Sequence, residues 1–419
     1  MNLISQKAIL NGSVRIPASK SHTIRALIIS TLAEGQSVLL NPLQSGDTIS
    51  CLEACRAFGA EISEEENKWI VYGKGVANPP KDIIDVGNSG TSLYLLLSAA
   101  ALIPGESTFT GDYQIKRRSA QSLIDSLNDL GAKCFSINGN GCAPLVIHGK
   151  LQGGTTTIEC PTSQYLSSLL ISCPLAEGDT EINVPLLNEK PYVEMTLDWL
   201  KNQNIEFENI DFKKFKIKGK QKYNPFTREI PADFSSATFF LVAAAITGGD
   251  VTLNGLDMDD TQGDKAVVEM LKKMGAKIEI GENFIRVNGG KLIGAELDLN
   301  ATPDALPAMA VAGCFAKGET RLVNVPQARE KETDRIAVMC KELKNLGADI
   351  EELPDGLIIR NSTLKGGDAH GYDDHRIVMS LAVAGLCSEN PINIDTAESA
   401  GITFPNFVEL MNSIGGKLT

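Results

Sequence analysis

Basic side chains in this sequence collect where a short polar cluster opens an apolar run. Lys20, Ser21 and Arg25 stand at the first such point, in Pro17-Ala18-Ser19-Lys20-Ser21. The later clusters are Gly87-Asn88-Ser89-Gly90-Thr91, Thr162-Ser163-Gln164, Asp233-Phe234-Ser235-Ser236, Thr302-Pro303-Asp304 and Asp373-Asp374-His375-Arg376. Ser, Thr, Asn and Asp before an apolar run suit helix N-caps, and capping alone accounts for any single one of them. The cations change the reading. Lys116-Arg117-Arg118 form a short run, and Arg329, Lys331 and Arg335 surround Glu332-Thr333-Asp334. Helix N-termini offer free N–H groups and partial positive charge, and arginine adds bidentate recognition of phosphate and carboxylate. If these helix starts converge, the expected ligands are small anions.

The elements that must position these residues repeat. Apolar runs end in a glycine loop at Gly35, Gly105, Gly178, Gly249 and Gly318, about seventy residues apart each time. A sixth slot falls at Val378 to Asn390, with Asn in place of Gly. A second, amphipathic run stops at Phe58-Gly59-Ala60, Leu130-Gly131-Ala132, Met274-Gly275-Ala276, Leu346-Gly347-Ala348 and Ile414-Gly415-Gly416, with Gln203-Asn204-Ile205 as the remaining copy. Gly and Asn tolerate the left-handed conformation that ends a helix. The first run is apolar on nearly all sides and predicts a buried helix; the second predicts a helix with one solvent face. Six copies predict an α/β protein of two domains, three copies each. The first buried helix begins at Ser19, and the short strand before it is assigned to the other domain, which gives residues 1–18 plus 233–419 and residues 19–232. The turn-rich segment Pro225 to Pro231 is expected to link them. Neither a GxGxxG after a strand nor a GxxxxGK[ST] is present, which argues against a Rossmann or P-loop nucleotide site.

Composition narrows the partners. A net charge of −13 over 419 residues argues against nucleic acid or an anionic membrane, while leaving small anions open to the local field of a site. Met1 to Leu10 has no signal-peptide pattern, and Leu93 to Ile103 is too short to span a bilayer, so a cytoplasmic protein is expected. The nine cysteines include no CxxC pair and the four histidines none at metal-ligand spacing from a cysteine, so reduced, packed thiols are expected and no metal site.

Several stretches carry a family resemblance. Lys20-Ser21 with Arg25, Gly87 to Thr91, Ser163-Gln164, Pro303-Asp304-Ala305, Lys331 to Arg335 and Asp374-His375-Arg376 resemble hallmark motifs of 5-enolpyruvylshikimate-3-phosphate synthases, in order along the whole chain. The resemblance implies two similar lobes, each of three βαβαββ units, with the active site in the interlobe cleft, a monomer, and no cofactor. It implies that Lys20, Ser21, Arg25, Thr162, Ser163, Gln164, Asp304, Gln327 and Lys331 hold shikimate 3-phosphate. Phosphoenolpyruvate falls to Lys20, Gly90, Arg118, Gln164, Arg335 and Arg376. Thr162 and Gln327 replace a more usual Ser and Asn and keep the ability to hydrogen-bond. Three positions depart further. Glu189 stands where many members have a phosphate-binding Ser, so that contact is expected to be lost or rearranged. Tyr94 replaces a usual Arg, and Ile402 a Lys found in some members.

The implied chemistry is addition and elimination. The acceptor's 5-hydroxyl attacks C2 of phosphoenolpyruvate as C3 gains a proton, and phosphate then leaves. Asp304 is the candidate base and Glu332 the candidate for proton exchange at C3, with Lys20 able to share either role. Two alternatives stand beside this reading. One is the carboxyvinyl transferase acting on UDP-N-acetylglucosamine, whose active-site loop carries a cysteine that Gly111 to Arg118 lacks. The other is an inactive homologue that kept the fold.

Overall fold

Helices alternate in character along the chain, and the alternation is what builds the molecule. The computed structural model describes residues 1–75 and 79–419. Among them lie α1 (Lys20–Leu32), α2 (Gly46–Ala57), α3 (Gly90–Ala100), α4 (Gln121–Asp129), α5 (Ser163–Ser172), α6 (Lys190–Asn202), α7 (Phe234–Thr247), α8 (Ala266–Lys273), α9 (Leu306–Phe315), α10 (Arg335–Asn345), α11 (His375–Gly385) and α12 (Phe407–Ser413). The odd-numbered helices have no charge beyond their first two turns. α7, for example, is buried without interruption from Phe234 to Ala245. A helix apolar all round has to be enclosed, so it becomes the centre of a domain. The even-numbered helices bury one stripe, such as Val267, Val268 and Leu271 in α8, and turn most of their charges outward. Five of them stop at the expected glycines, 59, 131, 275, 347 and 415, with φ between 93 and 102°; Asn204 ends α6 at φ 56°.

Each repeat wraps its pair of helices with one small sheet. A strand leads into the buried helix, the next returns parallel to it, and a hairpin after the amphipathic helix adds antiparallel strands. In the second repeat Ile84–Asp85 pairs in parallel with Glu106–Thr110, which pairs antiparallel with Leu145–His148 and that in turn with Lys133–Ser136. The same order recurs from Gly154 to Ile217 and from Glu296 to Arg360.

The chain divides into two compact units, Lys20–Ile230 and Met1–Ser19 with Pro231–Thr419. The first repeat of each unit takes its leading strand from the other end of the sequence. Asn11–Arg15, which precedes α1 in the chain, pairs in parallel with Asp250–Asn254, the strand after α7. Thr227–Glu229, which precedes α7, pairs in parallel with Glu34–Leu40 after α1. Thr227–Glu229 is therefore a strand of a sheet and not only a linking turn. The sixth repeat lacks its own hairpin; Leu3–Ser5 pairs antiparallel with Ile392–Ile394 instead, and Ser5 bridges to Leu418. In each unit three buried helices pack together, α1 on α3 and α3 on α5, and α7, α9 and α11 on one another. The nine cysteines are free thiols and eight are buried; burial pushes Cys173 up to about 12. No helix among the described residues is long and apolar enough to cross a membrane.

The borrowed strand is held at a close backbone approach. A Cβ at Gly249 would lie 1.7 Å from the carbonyl oxygen of Leu10, whereas one at Gly401 would meet nothing within 4 Å. Gly249→Ala is expected to destabilise the protein by about 1–3 kcal/mol or more, because backbone cannot yield as a side chain does. Gly401→Ala should stay within about 0.5 kcal/mol of the parent. Denaturant unfolding of the full chain checks both, and an unshifted midpoint for Gly249→Ala would remove the residue 10–249 contact.

Candidate active site

In the unit that contains residues 231–419 the functional side chains are placed by the starts of α9, α10 and α11. Pro303 opens a 3₁₀ turn, Pro303–Ala305, that runs into α9. Proline suits a helix start because its missing N–H would have no partner there. Asp304 does not cap this helix. Its Oδ1 accepts from Arg335 Nη1 at 2.8 Å, and its Oδ2 pairs with Arg376 Nη2 at 2.9 Å. Asp334 caps α10 through the Ala337 N–H at 3.0 Å, which sets Arg335 at the first helical position. Arg335 is 1% exposed. Its Nε and Nη2 reach Asp374 Oδ2 and Oδ1 at 2.9 and 3.1 Å, and Nη2 also donates to Glu332. Asp374 in turn caps α11 through the Arg376 N–H at 2.9 Å and accepts from Thr333 Oγ1 at 3.0 Å. One guanidinium thus gathers carboxylates from three helix starts.

The charges at this cluster hold Asp304 and Arg335 ionised. Burial alone would push Asp304 up, but Arg376, Lys331 and Arg335 outweigh it and hold its carboxyl well below the usual carboxylate range. Burial opposes the charge on Arg335, yet Asp374, Glu332 and Asp304 carry it above the ordinary arginine value. Lys331, by its influence on Asp304, belongs to the same group. Gln327 is buried nearby in sequence, donating to the Asn300 carbonyl at 2.9 Å, with Oε1 unpartnered among the described residues. Arg329 is not part of the cluster. It ties Asp334 and Glu352 to the carbonyls of Leu353 and Pro354, a structural role.

The unit formed by residues 20–230 places the remaining candidates at the starts of α1, α3 and α5. Lys20, the first residue of α1, pairs with the buried Asp47 at 2.9 Å. Arg25, one turn further, is 1% exposed. It donates to Thr196 Oγ1 at 2.9 Å, to Ser167 Oγ at 3.3 Å, and to the carbonyls of Ser21 and Tyr192, each at 3.1 Å. Among the described residues none of its partners is a carboxylate, and burial pulls it down to about 10. Ser89 caps α3 through the Ser92 N–H at 3.2 Å. Gly90 then begins the helix, and a Cβ there would lie 2.8 Å from Arg118 Nη1 and 3.7 Å from Gln164 Oε1. The starts of α3 and α5 therefore meet at Arg118. Lys116 and Arg117 of the same run point outward, Arg117 lying over the Tyr113 ring at 5.0 Å. Thr162 caps α5 through the Gln164 N–H at 3.4 Å, and both Thr162 and Ser163 meet Glu189.

Two of the three departures from the family pattern have structural roles. Tyr94 and Tyr165 pack edge to face at 5.0 Å, and both hydroxyls donate to the Ser119 carbonyl, next to Arg118. Glu189 is buried just before the start of α6 and accepts from Thr162 and Ser163. Ile402 ends a 3₁₀ turn, Ala397–Ile402. Reading the sequence missed Asp47 as the partner of Lys20 and gave Asp374 only a capping role. Asp47 has the look of an ordinary first-turn acid in α2, with no local signal for a partner that far along the chain. The two groups of residues described above each sit within one unit.

The comparisons with known proteins follow the same lines. A profile described as EPSP synthase (3-phosphoshikimate 1-carboxyvinyltransferase) matches residues 4–411. A 3-phosphoshikimate 1-carboxyvinyltransferase of Acetivibrio thermocellus is 56% identical, with 100% of this chain and 99% of that protein aligned. One of Ruminiclostridium cellulolyticum is 55% identical over the same shares. A solved structure of EPSP synthase from Acinetobacter baumannii superposes with a TM-score of 0.84 at 29% identity, covering 100% of both chains. With the family profile spanning nearly all of the chain and relatives above half identity along its length, the chain belongs to the EPSP synthase (3-phosphoshikimate 1-carboxyvinyltransferase) family.

Proposed function

We propose that the protein transfers the 1-carboxyvinyl group of phosphoenolpyruvate to the 5-hydroxyl of shikimate 3-phosphate, releasing inorganic phosphate, in the route to aromatic amino acids. The observation that carries this is the ionic cluster of Asp304, Glu332, Arg335 and Arg376. It supplies two carboxylates able to exchange protons beside cations able to hold a phosphate and a carboxylate. Shikimate 3-phosphate is assigned Lys20, Ser21, Arg25, Thr162, Ser163, Gln164, Asp304, Gln327 and Lys331. Phosphoenolpyruvate is assigned Lys20, Gly90, Arg118, Gln164, Arg335 and Arg376. The same reading makes the protein a cytoplasmic monomer.

The acceptor oxygen bonds to C2 of phosphoenolpyruvate, losing its proton to a base, while C3 takes a proton from an acid. The tetrahedral adduct then expels phosphate as C3 gives a proton back, which restores the double bond. Asp304 serves as the base and Glu332 exchanges the proton at C3; Lys20 is assigned a share in either role. In the ligand-free protein Asp304 is a weak base, because its cationic neighbours stabilise the ionised form. When a substrate carboxylate or phosphate takes up the charge of Arg376 and Lys331, that stabilisation falls and Asp304 gains basicity. Substrate binding and activation of the base are then one event.

Three measurements test the reading. Phosphate should be released from phosphoenolpyruvate with shikimate 3-phosphate and not with UDP-N-acetylglucosamine; the reverse pattern would move the protein to the other transferase. Glu332→Gln keeps a hydrogen bond to Arg335, which retains Asp374, so its melting temperature should stay near the parent's while turnover falls about 10²-fold or more. Asp304→Asn should lose as much turnover but also stability, since the Asp304 ion pairs with Arg335 and Arg376 are lost. Calorimetric binding of the substrates separates catalysis from positioning, and turnover within a few-fold of the parent in either variant would end that residue's catalytic role. Gly90→Ala pushes against Arg118 Nη1. It should raise KM for phosphoenolpyruvate by about tenfold, the equivalent of about 1.4 kcal/mol, and leave KM for the acceptor nearly unchanged. Steady-state kinetics with each substrate varied in turn read this directly.

A further inference from the structure

Thr162 and Ser163 at the start of α5 do not present an open anion site in the ligand-free protein, because a side chain of the protein is already there. Glu189 is 2% exposed and sits just before α6. Its Oε2 accepts from the Ser163 N–H at 3.1 Å, the Ser163 hydroxyl at 2.9 Å and the Thr162 hydroxyl at 3.1 Å. A backbone N–H and two hydroxyls at a helix N-terminus are the donors that a phosphate oxygen uses. The backbone at Glu189 is left-handed, φ 56° and ψ 39°, a conformation uncommon for a residue other than glycine.

A second observation points to an external anion beside it. Arg25 donates to Ser167 of α5, one turn beyond Ser163, and to the carbonyl of Tyr192, whose own N–H donates to the Glu189 carbonyl. This buried guanidinium is satisfied by hydroxyl and carbonyl oxygens alone among the described residues. A buried cation with only neutral acceptors is short of an anion.

We propose that Glu189 is an internal competitor for the phosphate of the acceptor: its carboxylate fills the Thr162–Ser163 donors, and a phosphate that binds these donors has to displace it. The inference rests on the assignment of Thr162 and Ser163 to shikimate 3-phosphate. Displacement costs the hydrogen bonds that Glu189 accepts from Thr162 and Ser163 and brings two anions together, so Glu189 sets the affinity for the phosphorylated acceptor. A plain capping role for Glu189 has the opposite sign, since loss of a cap would loosen the α5 start and weaken binding.

The test is calorimetric titration of the full chain, parent, Glu189→Gln and Glu189→Ser, with shikimate 3-phosphate and with shikimate. Glu189→Gln removes the charge at constant size and so decides the matter if the serine variant fails to fold. Both variants are expected to bind shikimate 3-phosphate about tenfold more tightly than the parent, about 1.4 kcal/mol. Shikimate, which has no phosphate, should bind all three alike within about twofold, a difference under about 0.5 kcal/mol. Unchanged or weaker binding of shikimate 3-phosphate by Glu189→Gln overturns the inference, as does an equal gain for shikimate. A parent that binds no shikimate 3-phosphate overturns the functional assignment and this inference together. A parent that binds it, with variants that match the parent, overturns this inference alone.

Discussion

The buried guanidinium of Arg335 is the point to which the chemistry of residues 231–419 is tied. A cation enclosed this completely is tolerated only when carboxylates and hydrogen bonds replace its lost hydration. Arg335 meets that demand with Asp304, Glu332 and Asp374, one from the start of each of three helices. The pairing therefore fixes where α9, α10 and α11 begin relative to one another, and with them the side chains that would face a ligand. Asp374 shows the economy of the arrangement, because the same carboxylate caps α11, receives Thr333 and binds Arg335 through both oxygens. The balance of charge also keeps Asp304 ionised until something else claims the cations.

Residues 20–230 solve the same problem differently. Lys20 has Asp47 and the α5 start has Glu189, but Arg25 is held only by neutral oxygens. One unit is thus internally neutralised around its arginine, while the other keeps a buried cation that lacks an acidic partner among the described residues. That contrast suits a protein whose ligands are anions: the neutralised cluster can yield its cations late, and the uncompensated one attracts charge from the outset.

Much of this was legible in the sequence because it depends on local rules. The seventy-residue period, the wholly apolar odd-numbered helices and the glycine or asparagine stops follow from which residues can be enclosed and which can adopt positive φ. The polar clusters before the buried helices were also legible, and Ser89, Thr162, Asp233 and Asp374 do cap them. Pattern alone could not separate Arg118 from Lys116 and Arg117, since the side that faces inward depends on a 3₁₀ turn and on the two tyrosines that hold Ser119.

The sequence by itself determined the number and kind of elements, their stops, and the family to which the motifs point. Tertiary structure alone decided which strand pairs with which and which charge meets which. Asn11–Arg15 joins Asp250–Asn254, Asp47 finds Lys20, and Glu189 reaches Thr162 and Ser163. The reason is physical. Helix burial and termination are set by neighbours within a few residues, whereas parallel strands and ion pairs join groups whose separation along the chain carries no local trace.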